Sequence, residues 1–126
     1  MAQTFANRRA LVVDDEFLIA FDMEESMREL GFEVCSVAPN VEKAIRLAVT
    51  NQPEVVLMDF YLGGAHEGIE AGRWLREVCG ASVVFVTAHN DDGTLERIRE
   101  AVPGAPILSK PVYREQLAKA ISEAIH

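Results

Sequence analysis

Four places along the chain put polar side chains of different kinds directly after an apolar run. Asp14, Asp15 and Glu16 follow Arg9–Val13, Asp59 follows Glu54–Met58, Thr87 follows Ser82–Val86, and Ser109, Lys110 and Pro111 follow Ala105–Leu108. Each has a plain reading by itself. Asp14 or Asp15 could cap a helix, Asp59 could be a loop carboxylate, Thr87 a β-branched strand end and Lys110 a solvated lysine. Together they make one chemistry. Carboxylates brought close repel and raise one another's pKa unless a cation joins them. Mg2+ suits such a site, because it is a hard ion that prefers oxygen ligands and keeps several waters. Asp59 then stays ionised and nucleophilic. The cation and Lys110 can neutralise charge on an incoming phosphoryl group, and the Thr87 hydroxyl can donate to one of its oxygens.

These residues converge only if the apolar runs lie side by side, which the rest of the pattern supports. Arg9–Val13 is a short β-rich run. Glu16–Leu30 has helical spacing at Phe17, Ala20, Phe21, Met27 and Leu30, and Gly31 stops it. Phe32–Val37 reads as a strand. Asn40 caps a helix to about Asn51, with Val41, Ala44, Ile45 and Ala48 on one face. Glu54–Met58 reads as a buried strand. Gly63 and Gly64 mark a loop, and Gly68–Val78 a helix carrying Ile69, Trp74, Leu75 and Val78. Ser82–Val86 is the fourth strand. Asp91 or Asp92 caps a helix to about Ala101, Ala105–Leu108 is the fifth strand, and Val112–Ile125 the last helix. Five strands, each followed by a helix, imply an α/β fold with a parallel sheet covered on both faces. In such sheets the working site lies beyond the carboxyl ends of the strands.

Composition narrows the remaining classes. The 126 residues fit one domain, and the net charge of −8 repels a phosphate backbone, so nucleic-acid binding is not expected. No apolar stretch approaches the ~20 residues that span a bilayer, and Met1–Arg9 lacks the apolar centre of a signal peptide. A cytoplasmic protein with no membrane partner is expected. Cys35 and Cys79 read as reduced, partly buried thiols. His66, His89 and His126 share no metal-ligand spacing.

In order and separation, Val12-Val13-Asp14-Asp15-Glu16, Leu57-Met58-Asp59, Val86-Thr87-Ala88 and Ser109-Lys110-Pro111 resemble the receiver domains of two-component response regulators. The resemblance covers nearly the whole chain. It implies a flavodoxin-like, five-stranded parallel sheet in the order 2-1-3-4-5, and one receiver domain over residues 1–126. It further implies that Asp59 is the phosphoacceptor, that Asp15 ligates Mg2+ directly and Asp14 mostly through water, and that the Tyr61 backbone carbonyl is a further ligand. By the same likeness Thr87 and Lys110 bind the phosphoryl group, and the peptide before Pro111 is cis. The partners it implies are a histidine kinase or histidine phosphotransfer protein and a downstream protein. The downstream partner would use the face of the fourth helix, fifth strand and fifth helix. A homodimer is compatible with it.

Three departures stand out. Gly63-Gly64 occupy a loop where many relatives have proline, Tyr61 and His89 hold the two positions that tune phosphoryl lifetime, and Ile107 replaces a switch aromatic. Displacement of the Thr87 loop, rather than rotation of Ile107, is therefore the expected switch.

Two other function classes compete. A small Mg2+-dependent aspartyl phosphatase or phosphotransferase would need a second acid/base carboxylate, for which Glu16 is nearest, and a substrate cap. A flavodoxin-like cofactor binder would need a Ser/Thr/Gly-rich phosphate loop after the first strand, where this chain has carboxylates. A signalling module, either engaging a partner or draining a kinase as a phosphate sink, fits better. It is expected to catalyse only its own phosphorylation and dephosphorylation, and not to be an enzyme in the ordinary sense.

Overall fold

The computed structural model describes residues 5–62, 67–88 and 92–125. Strands and helices alternate: β1 (Arg9–Val13), α1 (Phe17–Glu29), β2 (Glu33–Ala38), α2 (Val41–Asn51), β3 (Val55–Asp59), α3 (Glu67–Cys79), β4 (Ser82–Thr87), α4 (Asp92–Ala101), β5 (Ile107–Ser109) and α5 (Arg114–Ala124). The sheet is parallel throughout, in the order β2-β1-β3-β4-β5. Strands β3 and β4 are continuously apolar over Val55–Met58 and Val83–Val86 because helices cover both sheet faces.

Side-chain alternation divides the core into two layers. Leu11, Val13, Val56, Met58, Val83 and Phe85 pack on one face, in the cluster that receives α2, α3 and α4. Ala10, Val12, Val55, Leu57, Val84 and Val86 pack on the other, against α1 and α5. Leu57 is fully buried, so truncating it to Ala would cost about 2–5 kcal/mol.

Local signals set several element ends. Gly31 has φ 106°, the left-handed region where a side chain is disfavoured, and it terminates α1 as its position suggested. The Asn40 side chain accepts from the Lys43 N–H at 2.8 Å and caps α2. Tyr113 precedes α5, and its backbone N–H donates to the Gln116 side chain at 3.1 Å.

The helical faces differ from the sequence pattern in places. In α1 the buried residues are Ala20, Met23 and Met27, while Phe17 and Phe21 stand in solvent. The 100° turn per residue puts both on the flank of the stripe that meets the sheet. Val78 is likewise exposed, and Trp74 is half-buried, because α3 faces the sheet through Ile69, Ala71, Gly72 and Leu75. Neither Asp14 nor Asp15 caps α1. Glu16 holds that position and makes no side-chain cap. Strand β5 begins at Ile107 rather than at Ala105.

Candidate functional site

The register builds the site. Val13 pairs with Met58, so the next residues along, Asp14 and Asp59, leave the sheet side by side. Asp59 pairs with Val86, and Thr87 with Ser109, which brings the ends of β4 and β5 to the same edge. The parity that points Val12 and Leu57 toward α1 and α5 gives Asp14 and Asp59 the same side of the sheet. Both carboxylates are buried, at 1% and 3% exposure, and Thr87, at the end of β4, is buried as well.

Lys110 enters from the β5 side. Its backbone N–H donates to the Thr87 carbonyl at 2.9 Å, tying the two strand ends together, and the Lys110–Pro111 peptide is cis. The ammonium lies 3.0 Å from Asp14 Oδ2, 3.1 Å from Glu16 Oε1 and 3.4 Å from Asp59 Oδ1. Burial alone would lower the pKa of Lys110. Its close contact with Asp14, the charge of Asp59 and the hydrogen bond to Glu16 outweigh that and hold it above the ordinary value. Asp59 moves far: burial first, and then the charge of Asp14, push its pKa up to about 7, against the opposing pull of Lys110 and of the Tyr61 N–H. That N–H reaches Asp59 Oδ1 at 3.3 Å.

The acid cluster fits a hard divalent cation. Asp14, Asp15, Glu16 and Asp59 each offer one oxygen, and the four lie within 4.8 Å of one another. Asp14 Oδ2 is buried and has no hydrogen-bond partner among the described residues, although it lies near the Lys110 ammonium. A buried carboxylate oxygen without a donor is what a cation would satisfy. Asp14 Oδ1 is already engaged, accepting the Glu16 N–H at 2.8 Å.

All the sequence-derived site residues, Asp14, Asp15, Asp59, Tyr61, Thr87 and Lys110, therefore sit at one edge of the sheet. His89 lies outside the described residues, as do Gly63, Gly64 and His66. Two features were not legible: the partner of Glu16, a residue already among the strand-end acids, and the role of Gly68. Glu16 holds Lys110, a contact that joins residues distant in sequence. Gly68 lets the first turn of α3 press on the end of β3: a Cβ there would collide with the carbonyl oxygens of Asp59 and Phe60. Its place at the start of a predicted helix was the available signal. Concavity does not mark the site. A cavity of about 900 Å3 lies among α2, α3 and α4, lined by Val41, Ile45, Ile69 and Trp74, and includes none of the clustered acids.

Comparisons with known proteins agree with this geometry. Residues 10–122 match the family model described as the response regulator receiver domain. The transcriptional regulatory protein PdtaR of Mycobacterium tuberculosis is 34% identical over 118 residues, which cover 94% of this chain and 57% of that protein. The phyllosphere-induced regulator PhyR of Methylorubrum extorquens is 30% identical over 91% of this chain and 42% of its own length. The chain thus spans about half the length of these relatives. Among solved structures, the signal receiver domain of a modulated diguanylate cyclase from Desulfovibrio desulfuricans G20 superposes with a TM-score of 0.84. It is 33% identical, and the match covers 94% of this chain and 93% of that one.

Proposed function

The chain belongs to the response regulator receiver domain family, and on that premise we propose that Asp59 is its phosphoacceptor, with Asp14, Asp15, Tyr61, Thr87 and Lys110 completing the site. The observation that carries this reading is the burial of Asp59 at the end of β3 beside a second buried carboxylate and a lysine. Surface carboxylates are seldom placed so, because desolvated like charges repel. A site that must take up a cation and a phosphoryl group has reason to hold them there.

One Asp59 oxygen attacks the phosphorus of a phosphohistidine. The P–O bond forms as the P–N bond breaks, and the imidazole leaves with the bonding pair and takes a proton from solvent. Lys110 lies where it can pair with the transferred oxygens, and the Thr87 hydroxyl is the donor on the far side. Mg2+ bound by Asp14, Asp15, Asp59 and the Tyr61 carbonyl would supply further charge neutralisation. The donor partner is a histidine kinase or histidine phosphotransfer protein. Phe17, Leu18 and Phe21, at 80%, 77% and 50% exposure, line the start of α1 next to the site, an apolar patch suited to a protein donor. The downstream partner uses the α4–β5–α5 face, and residues 1–126 act as one cytoplasmic receiver unit. Among the described residues, no helix is long and apolar enough to cross a membrane.

The phosphatase alternative is not favoured. Glu16, its acid/base candidate, is hydrogen-bonded to Lys110 at 3.1 Å. Incubation with acetyl phosphate and Mg2+ followed by intact-mass measurement separates the two. The receiver reading expects one adduct of ~80 Da per chain; sustained release of phosphate from simple phosphomonoesters would overturn it.

A further inference from the structure

Lys110 has more carboxylate partners than the phosphoacceptor chemistry asks of it. An ammonium carries three N–H donors, and three carboxylate oxygens stand within 3.4 Å of it: Asp14 at 3.0 Å, Glu16 at 3.1 Å and Asp59 at 3.4 Å. The Glu16 contact is a hydrogen bond, whereas the contacts with Asp14 and Asp59 are close charge pairs. A phosphoryl group brings several acceptor oxygens to this point, and they compete for the donor that Glu16 holds.

The three are not equally able to leave. Asp14 is fully buried, and separating it from Lys110 would strand a desolvated charge. Asp59 carries the phosphoryl group and moves with it. The Glu16 side chain is 58% exposed while Lys110 is 8% exposed, so only the Glu16 end of that pair returns easily to water. Glu16 also stands just before α1 without capping it, so no helix contact holds its carboxylate in place.

Resting on the phosphoacceptor reading above, we propose that Glu16 is a positioning residue that acts as the exchangeable partner of Lys110. It occupies one ammonium donor in the unphosphorylated domain and yields that donor to a phosphoryl oxygen when Asp59 is modified. Glu16 thereby restrains phosphorylation: the Lys110–Glu16 contact must open before the lysine can serve the incoming group.

The test uses the whole chain as wild type, Glu16→Ala and Glu16→Gln, each also combined with Lys110→Ala. Initial labelling by acetyl phosphate at saturating Mg2+ is followed by intact mass. Mg2+ affinity is read separately from amide shifts without a phosphodonor. Glu16→Ala should label about two- to fivefold faster, the range of an exposed ion pair, and Glu16→Gln should fall between, since its amide oxygen still accepts. In the Lys110→Ala background the same change should stay within about 1.6-fold, the scatter of uncoupled sites. Mg2+ affinity should move less than about twofold, and the Lys110 ammonium resonance should exchange faster with water in Glu16→Ala. An unchanged or slower rate in Glu16→Ala overturns the proposal. Equal acceleration without Lys110 overturns it too, and points to simple charge repulsion. A large loss of Mg2+ affinity would instead make Glu16 a metal ligand. Failure of the wild type to label overturns the phosphoacceptor reading itself, whatever the variants do.

Discussion

The two ends of the sheet handle charge in opposite ways. At the carboxyl end, Asp14 and Asp59 are buried side by side with Lys110, and Asp14 Oδ2 has no hydrogen bond among the described residues. At the amino end the charged groups are satisfied and wet. Arg8 pairs with Glu54 at 3.3 Å, with both side chains more than 40% exposed. Arg9 donates to the carbonyls of Asn51 and Gln52 at 2.9 and 3.1 Å, closing the last turn of α2. The same strands thus carry conventional surface ties at one end and a strained electrostatic arrangement at the other. Folding alone does not call for the second. A buried carboxylate pair lowers stability unless something binds it, so the difference locates function without reference to any cavity.

The largest expected contrast is in labelling. Asp59→Asn should abolish the phosphoryl adduct, while Arg8→Ala, at the other end, should label like the wild type in the same intact-mass assay. Equal labelling of both would remove the distinction between the ends.

A second contrast is in the pH dependence of stability without metal. The Asp59 pKa rises from 3.8 to about 7 on folding, so the folded state binds the proton more tightly than the unfolded state. Stability from this group is complete below about 4 and is lost as pH rises through 7. Denaturant midpoints in EDTA should therefore fall between these pH values and level off above them. Asp59→Asn should remove most of that slope, and saturating Mg2+ should reverse it at neutral pH by favouring the ionised carboxylates.

Smaller effects should separate residues within the carboxyl end. Asp15→Ala should weaken Mg2+ binding at least tenfold, on the order of 1.4 kcal/mol or more, whereas Glu16→Ala should change it little; titration followed by amide shifts measures both. The smallest effect belongs to the amino end. Arg8→Ala should shift stability by less than about 1 kcal/mol, as expected of an exposed ion pair. A loss of several kcal/mol in chemical denaturation would show that this end is not the passive one.

Much of this arrangement was legible in the sequence. Apolar runs ending in Asp14, Asp59, Thr87 and Lys110 gave both the strands and their shared edge, because a parallel α/β sheet aligns its carboxyl ends. Asn40 and Gly31 marked helix ends through local backbone chemistry that needs no tertiary knowledge. Faces were less legible. Phe17 and Phe21 share the helical spacing of Ala20 and Met27, yet the stripe that meets the sheet runs through Ala20, Met23 and Met27. Which flank of a helix docks is decided by packing, which periodicity alone does not fix. The Glu16–Lys110 contact was hidden for the same reason: its partners are 94 residues apart. Gly68 shows its purpose only once α3 is laid against the Asp59 carbonyl.

The most direct test of the central claim is to locate the phosphoryl group. The wild-type chain is treated with acetyl phosphate and Mg2+, reduced with borohydride, which converts an acyl phosphate to homoserine, and then sequenced by tandem mass spectrometry. Homoserine at position 59, with aspartate intact at 14 and 15, is the predicted result. Homoserine at 14 or 15, or at none of the three under conditions that label a known receiver domain, would contradict it.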